Sequence, residues 1–228
     1  MSSRHFTPAL FAFLRDLAQH NDRAWFQENK QRYVDDVQEP ALAFIADFAE
    51  PLRRISPHFR ADARVQGGSL FRIYRDTRFS KDKTPFKTNT GVHFRHERAK
   101  DVHAPGYYLH LEPGGCYAGV GLWLPEAAVA RQIRQAIVDD PDGWRRATRS
   151  RPFTEVWELA GDSLRRPPRG FDPDHRFVED LKRRSFIATC RLTQREVTSS
   201  GFSDALARRF RAATPFMRFL CRAIDVEF

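Results

Sequence analysis

A chain of 228 residues with 41% hydrophobic residues and twenty Phe carries enough apolar surface for one packed core, which excludes an intrinsically disordered protein. Cys116, Cys190 and Cys221 are odd in number and far apart, so a disulfide framework is excluded and a reduced, cytoplasmic setting without a secretory leader is expected. The net charge of +9 favours phosphate-rich partners, while the most apolar run, residues 41–46, is too short to span a bilayer.

Thr7-Pro8 predicts a helix start, with Leu10, Phe11, Phe13, Leu14 and Leu17 on one apolar face. A second helix is expected from Asn21 or Asp22, carrying Trp25, Phe26, Asn29, Lys30 and Tyr33. The three aromatics belong to the core, and Asn29 and Lys30 are placed within reach of a polar sheet face. Pro40 interrupts the pattern, and a third helix follows, ended by Ser56-Pro57. Residues 1–56 are thus helical.

Residues 66–124 change character. Residues 69–76 alternate as a half-buried strand, a basic loop follows, and residues 91–96 form a short strand. Residues 99–105 are polar loop. Residues 107–112 and 116–124 are strands joined by the turn Pro113-Gly114-Gly115, hence a hairpin. Residues 125–228 are mostly helical. Pro125-Glu126, Asp140-Pro141, Asp172-Pro173 and Thr214-Pro215 open helices, Phe202–Phe210 is a further helix, residues 164–170 are an extended linker, and residues 185–192 are a strand before a Thr193/Glu196 capping box. One α+β domain over residues 1–228 is expected, with a mainly antiparallel sheet and helices packed largely on one face.

If Phe71, Ile73, Leu109, Leu111, Val120 and Leu122 share the buried face, the opposite face carries Arg72, Tyr74, Asp76, Tyr108, His110, Glu112, Tyr117, Gly119, Gly121 and Trp123. Glycines inside a strand weaken it and mark close approach, so Gly119 and Gly121 suggest a hollow floor with polar walls. The competing explanation is a helix packed closely over them. Between Arg72 and Lys100, nine Lys or Arg stand against three acids. Arg72, Arg75, Arg78, Lys81, Lys83 and Lys87 are the candidate anion ligands, since guanidinium forks and ammonium point charges suit phosphate. Pro85 stiffens the loop, and Gly91 permits unusual backbone angles after it. The alternative is a solvated turn in which Asp76 and Asp82 match the arginines.

Other chemistries are poorly supported. The glycine spacing and the Gly-Lys-Ser/Thr ending of a Walker loop are absent. His93 with Glu97, and His110 with Glu112, fall on common strand faces but make no dense metal motif, so no metal and no cofactor is expected. No Gly-x-Ser-x-Gly occurs, and Cys116 falls on the core side. His110, beside Arg72, is the candidate proton donor.

Four blocks, NDRAWFQENKQRY (21–33), FRIYRDTRFSKDKTPFKTNTG (71–91), YYLHLEPGGCYAGVGLWLPE (107–126) and PPRGFDPDHRFVEDLKRRSF (167–186), resemble the bacterial and fungal family catalogued as domain of unknown function 2461. Phe86 stands where that pattern has Tyr, which removes one hydroxyl. The resemblance implies a single domain and assigns no activity, catalytic residue or cofactor. The residues themselves point to a phosphate-bearing or other anionic small ligand held over the sheet by Arg72, Arg75, Arg78, Lys81, Lys83 and Lys87, and oriented by Tyr74, Tyr108 and His110 above Gly119 and Gly121. Two alternatives use the same loop: a nucleic-acid-binding module with stacking aromatics, and a scaffold meeting an acidic protein partner.

Overall fold

Capping residues and apolar spacing set the first helices. In the computed structural model, which describes residues 5–99 and 103–228, the Thr7 hydroxyl accepts from the Ala9 amide (3.3 Å) at the head of α1 (Pro8–Gln19), and the five expected apolar residues are buried. Asp22 accepts from the Trp25 amide (2.9 Å) and caps α2 (Arg23–Glu28). Pro40 does not interrupt the helix, contrary to expectation. The short α3 (Lys30–Tyr33) continues through a π-helical turn, Val34–Gln38, into α4 (Glu39–Arg53), whose first turn holds Pro40. A proline has no amide hydrogen to give, and a first turn is where none is needed.

Among the described residues six strands form one antiparallel sheet: β1 (Phe59–Arg60), β2 (Thr90–His96), β3 (Gly106–Leu111), β4 (Tyr117–Leu122), β5 (Glu158–Ala160) and β6 (Phe186–Arg191), in the order β1-β2-β3-β4-β6-β5. The β3–β4 hairpin and β6 match the sequence pattern. The two- and three-residue strands β1 and β5 are too short to show any alternation. The sheet therefore reaches beyond residues 66–124, because β5 and β6 come from the C-terminal part. The loop expected over residues 99–105 lies in part outside the described residues.

The strand expected over residues 69–76 is instead one side of an irregular arm. Isolated bridges join Leu70 to Val92 and Tyr74 to Phe86. The Phe71 amide donates to Gly91 O (2.9 Å), Lys87 to Ile73 O (2.8 Å) and Arg75 to Pro85 O (2.9 Å). Pro85 on the returning side cannot donate, so no regular ladder forms. Asn21 clamps this arm to the helices: its amide nitrogen donates to Phe86 O (3.0 Å) and its oxygen accepts from Phe86 N (3.1 Å).

The remaining helices are α5 (Ala127–Asp139), α6 (Pro141–Arg149), α7 (Arg151–Thr154), α8 (Val178–Leu181), α9 (Gln194–Val197), α10 (Phe202–Ala212) and α11 (Thr214–Ala223). Asp172-Pro173 does not open α8. The Asp172 carboxylate instead closes a turn on the Asp174 amide (2.9 Å), and the helix begins at Val178. The Thr193/Glu196 capping box forms as expected. The fold is α+β, with helices largely on one face of the sheet. There Phe48 stacks on Phe94 (5.2 Å) and Tyr107 packs on Phe210 (4.7 Å). Such aromatic pairs contribute roughly 0.5–1.5 kcal/mol beyond the area they bury. Asp180, buried in α8, accepts from Trp144 Nε1 (2.8 Å), Arg149 (3.0 Å) and Arg183 (3.0 Å), tying α6 to α8 and to the turn before β6. Among the described residues no helix is long and apolar enough to cross a membrane.

Candidate functional site

The register of β2, β3 and β4 aligns Gly91 with His110 and Tyr117, His93 with Tyr108 and Gly119, and Arg95 with Gly106 and Gly121. Their neighbours Val92, Phe94, Tyr107, Leu109, Ala118 and Val120 are buried in the core. Two-residue alternation therefore turns the aligned set to the opposite face. Phe71 joins that set, which corrects its expected place in the core. With Leu70 bridged to Val92, Phe71 points the other way and its ring lies 5.9 Å from both His93 and Tyr108.

On this face Tyr108 Oη lies 3.0 Å from His110 Nδ1, and His110 Nε2 lies 3.1 Å from Glu112 Oε2. An ionised carboxylate only accepts, so Nε2 carries the hydrogen, which leaves Nδ1 of the neutral ring to accept from the tyrosine hydroxyl. Burial raises the Tyr108 pKa, with Tyr117 and then Glu112 adding to it, so the phenol stays protonated and able to donate. Tyr117 stacks on His110 (4.7 Å, 18° between planes) and fixes its ring. The result is a directed chain, Tyr108 to His110 to Glu112. Beside it His93 is pushed down to about 4, first by burial and then by Arg95 and His103, so it is neutral near pH 7.

Gly119 and Gly121 are not where the strands approach most closely through a side chain. A Cβ on Gly119 would make ordinary contact with Tyr108 (3.7 Å), whereas Gly121 has φ +111° and a Cβ there would collide with the Phe186 carbonyl. The atoms nearest a Cβ at either position belong to the neighbouring strands β3 and β6. The glycines that make room are Gly91 and Gly106. A Cβ on Gly91 would stand 2.7 Å from Tyr108 Oη, and one on Gly106 would collide with the His93 ring. Gly91 thus serves close approach and has no left-handed backbone. Gly91→Ala is expected to push the Tyr108 hydroxyl off His110 while the protein stays folded. The imidazole 15N shifts of His110 report this, and an unchanged Nδ1 signal would disprove the packing argument.

The six candidate cations do not converge. Arg75 pairs with Asp82 and Thr84, and the Thr84 amide, with Arg75 next, holds Asp82 down to about 2. Arg78 pairs with Asp76 (2.7 Å). Lys83 donates to Thr77 O (2.9 Å), and Lys87 to Arg72 O (2.9 Å). The Arg72 and Lys81 side chains are exposed and make no hydrogen bond or ion pair among the described residues. Lys87 and Arg95 lie over the Phe71 ring at 5.4 and 6.0 Å, at the border of the Tyr108 cluster. Tyr74, Arg75 and Lys83 line a separate cleft against α2, and Arg78 and Lys81 stand on the exposed loop. Asn29 does not reach the sheet face; its amide donates to Trp25 O (3.0 Å) and its oxygen accepts from Arg32 (3.0 Å).

Glu97 holds His58 (2.7 Å) and Arg60 (2.6 Å) instead of joining His93. Among the described residues no group of three or more His, Cys, Asp and Glu side chains is gathered for a metal ion. Cys116 is buried and its thiol donates to Glu112 O (3.2 Å); burial raises its pKa, as befits a structural thiol. Sequence reasoning missed His93 and Arg95 as neighbours of Tyr108. Once β2 and β3 are set antiparallel, alternation alone puts all three on one face.

An antiparallel sheet with one helix-covered face, and a hydrogen-bonded Tyr-His-Glu chain on the other beside a basic arm, is the class of protein defined here. The chain belongs to the family described as conserved hypothetical protein (DUF2461), whose model matches residues 9–219. Comparison with curated proteins and with solved structures finds no match.

Proposed function

We propose that this protein binds a phosphate-bearing or other anionic small ligand on the sheet face opposite the helices, with His110 giving or taking a proton there. The observation that carries the proposal is the Tyr108-His110-Glu112 chain, whose two hydrogen bonds fix the His110 tautomer on the face opposite the helices. Lys87, Arg72 and Arg95 supply the charge. Burial and then Arg72 lower the Lys87 pKa, so an anion between the two cations relieves their mutual repulsion. The reading shrinks the original cation set, since Arg75 and Lys83 are turned to the cleft. Titrating the protein with inorganic phosphate while following the His110 imidazole by NMR tests it. Saturable shifts are expected, weakened at least tenfold by Lys87→Glu with little change in melting temperature. Shifts that persist in Lys87→Glu, or none at millimolar phosphate, would rule the site out.

A second reading, nucleic-acid binding by the arm, is favoured by Phe79. Its ring is 95% exposed, with the Arg78 guanidinium 5.8 Å from its centre. Exposed ion pairs such as Arg78–Asp76 contribute only about 0–1 kcal/mol, so phosphates can displace Asp76. Aromatic stacking on a base is worth roughly 1–3 kcal/mol. For this reading, affinity for a single-stranded oligonucleotide should fall linearly on a log–log plot against salt, and Phe79→Ala should weaken it about tenfold or more. Salt-independent binding, or none, removes it.

A further inference from the structure

A second place for an anion lies behind the arm. We infer that the cleft of about 590 Å³ between α2 and the arm, walled by Phe26, Tyr74 and Phe86 and bordered by Arg23, Arg75 and Lys83, binds a planar aromatic molecule carrying a phosphate, of the nucleoside monophosphate class.

The size sets the class. One water occupies about 30 Å³ of liquid, so the cleft holds about twenty waters, and a bare phosphate would leave most of it unfilled. The volume lies within the roughly 300–1,000 Å³ of small-molecule sites. The walls set the ring. Phe26 and Phe86 stack at 4.1 Å, and Tyr74 leans on both at 6.3 and 5.4 Å while staying 54% exposed. A wall built from two stacked rings holds the third steady, so a base can lie against Tyr74 without ordering it first.

The charges set the phosphate. Arg23, Arg75 and Lys83 face one lining carboxylate, Asp22, whose Oδ1 already accepts from the Trp25 amide. Arg23 is exposed and makes no hydrogen bond or ion pair among the described residues, which leaves its full donor fork for a phosphate. Arg75 keeps Asp82 and Thr84, and Lys83 keeps Thr77 O, so both act at longer range through charge. The double hydrogen bond from Asn21 to the Phe86 backbone fixes the distance between the two walls. This site shares no lining residue with the sheet-face cluster around His110 and stands or falls separately.

Calorimetric titrations of the full chain with AMP, adenosine and inorganic phosphate test the inference. AMP should bind at least tenfold more tightly than either fragment. Arg23→Ala should weaken AMP at least fivefold and leave adenosine unchanged, while Tyr74→Ala should weaken both. His110→Ala, a change at the separate sheet-face site, should leave the AMP and adenosine titrations unaltered and weaken only the phosphate taken up at that site. The inference is overturned if AMP shows no saturable binding at millimolar concentration, or if it binds no better than phosphate. It is also overturned if binding is lost in His110→Ala but kept in Tyr74→Ala, an outcome that moves the ligand to the sheet face. Circular dichroism of each variant separates lost binding from lost folding. If Tyr74→Ala fails to fold, Tyr74→Leu, which keeps the wall apolar but removes the aromatic face, decides the same question.

Discussion

Asp180→Ala is expected to remove about 3–5 kcal/mol of stability, the usual cost of stripping one partner from a buried charge pair. The side chain is only 2% exposed and accepts from three donors, so its loss leaves Arg183, itself 17% exposed, without its carboxylate and Trp144 Nε1 without any acceptor. In a chain of this length the melting temperature should fall by roughly 6–20 °C. Asp180→Asn should cost less, because an amide oxygen still accepts from Trp144. Urea midpoints for the two variants measure the difference. A cost below about 1 kcal/mol for the alanine variant would mean that apolar packing alone holds α6 against the turn before β6.

Acid should destabilise the protein through His93. Unfolded, this imidazole takes up a proton near its ordinary value of 6.5; folded, burial and the neighbouring Arg95 and His103 delay uptake to about 4. Between those two pH values only the unfolded chain is protonated there, so stability falls as the solution is acidified from 6.5 and this contribution levels off below about 4. The full difference is about 3 kcal/mol. His96 is also depressed, first by burial, and adds loss in the same direction. Comparing denaturation free energies of wild type and His93→Phe across this window isolates the His93 part. The variant keeps a ring beside Phe71 and should show a shallower slope. Parallel pH curves for the two proteins would show that His93 is solvated.

Much of the scaffold was legible because its signals are local. Thr7-Pro8, Asp22, Asp140-Pro141 and the Thr193/Glu196 box each announce a helix within four residues. The alternation at residues 107–112 and 117–122 announces a hairpin. The site was harder, since its meaning depends on register. Shifting one position moves Phe71 from the core to the polar face, and no residue between 69 and 76 reveals which applies until Leu70 meets Val92. The glycine signal was sound in kind but misplaced. A sequence can show that a strand contains glycine, yet only the partner strands show that Gly106 shelters His93 and Gly121 yields to the Phe186 carbonyl. The basic loop showed its charge and offered two uses for it, and the structure shows Arg75 held by Asp82 and Arg78 by Asp76, the pairing that the solvated-turn alternative named.

The pairing of β4 with β6 also bears on how the chain reaches its native state. Tyr117 aligns with Arg191 and Leu122 with Phe186, across some seventy residues of intervening chain. Closing a loop of that length carries an entropy cost that grows as the logarithm of its size, and contacts so remote in sequence slow the search. During synthesis the β2-β3-β4 meander is complete long before β6 leaves the ribosome. For that interval the free edge of β4 exposes unpaired amides and carbonyls, open to pairing with another nascent chain.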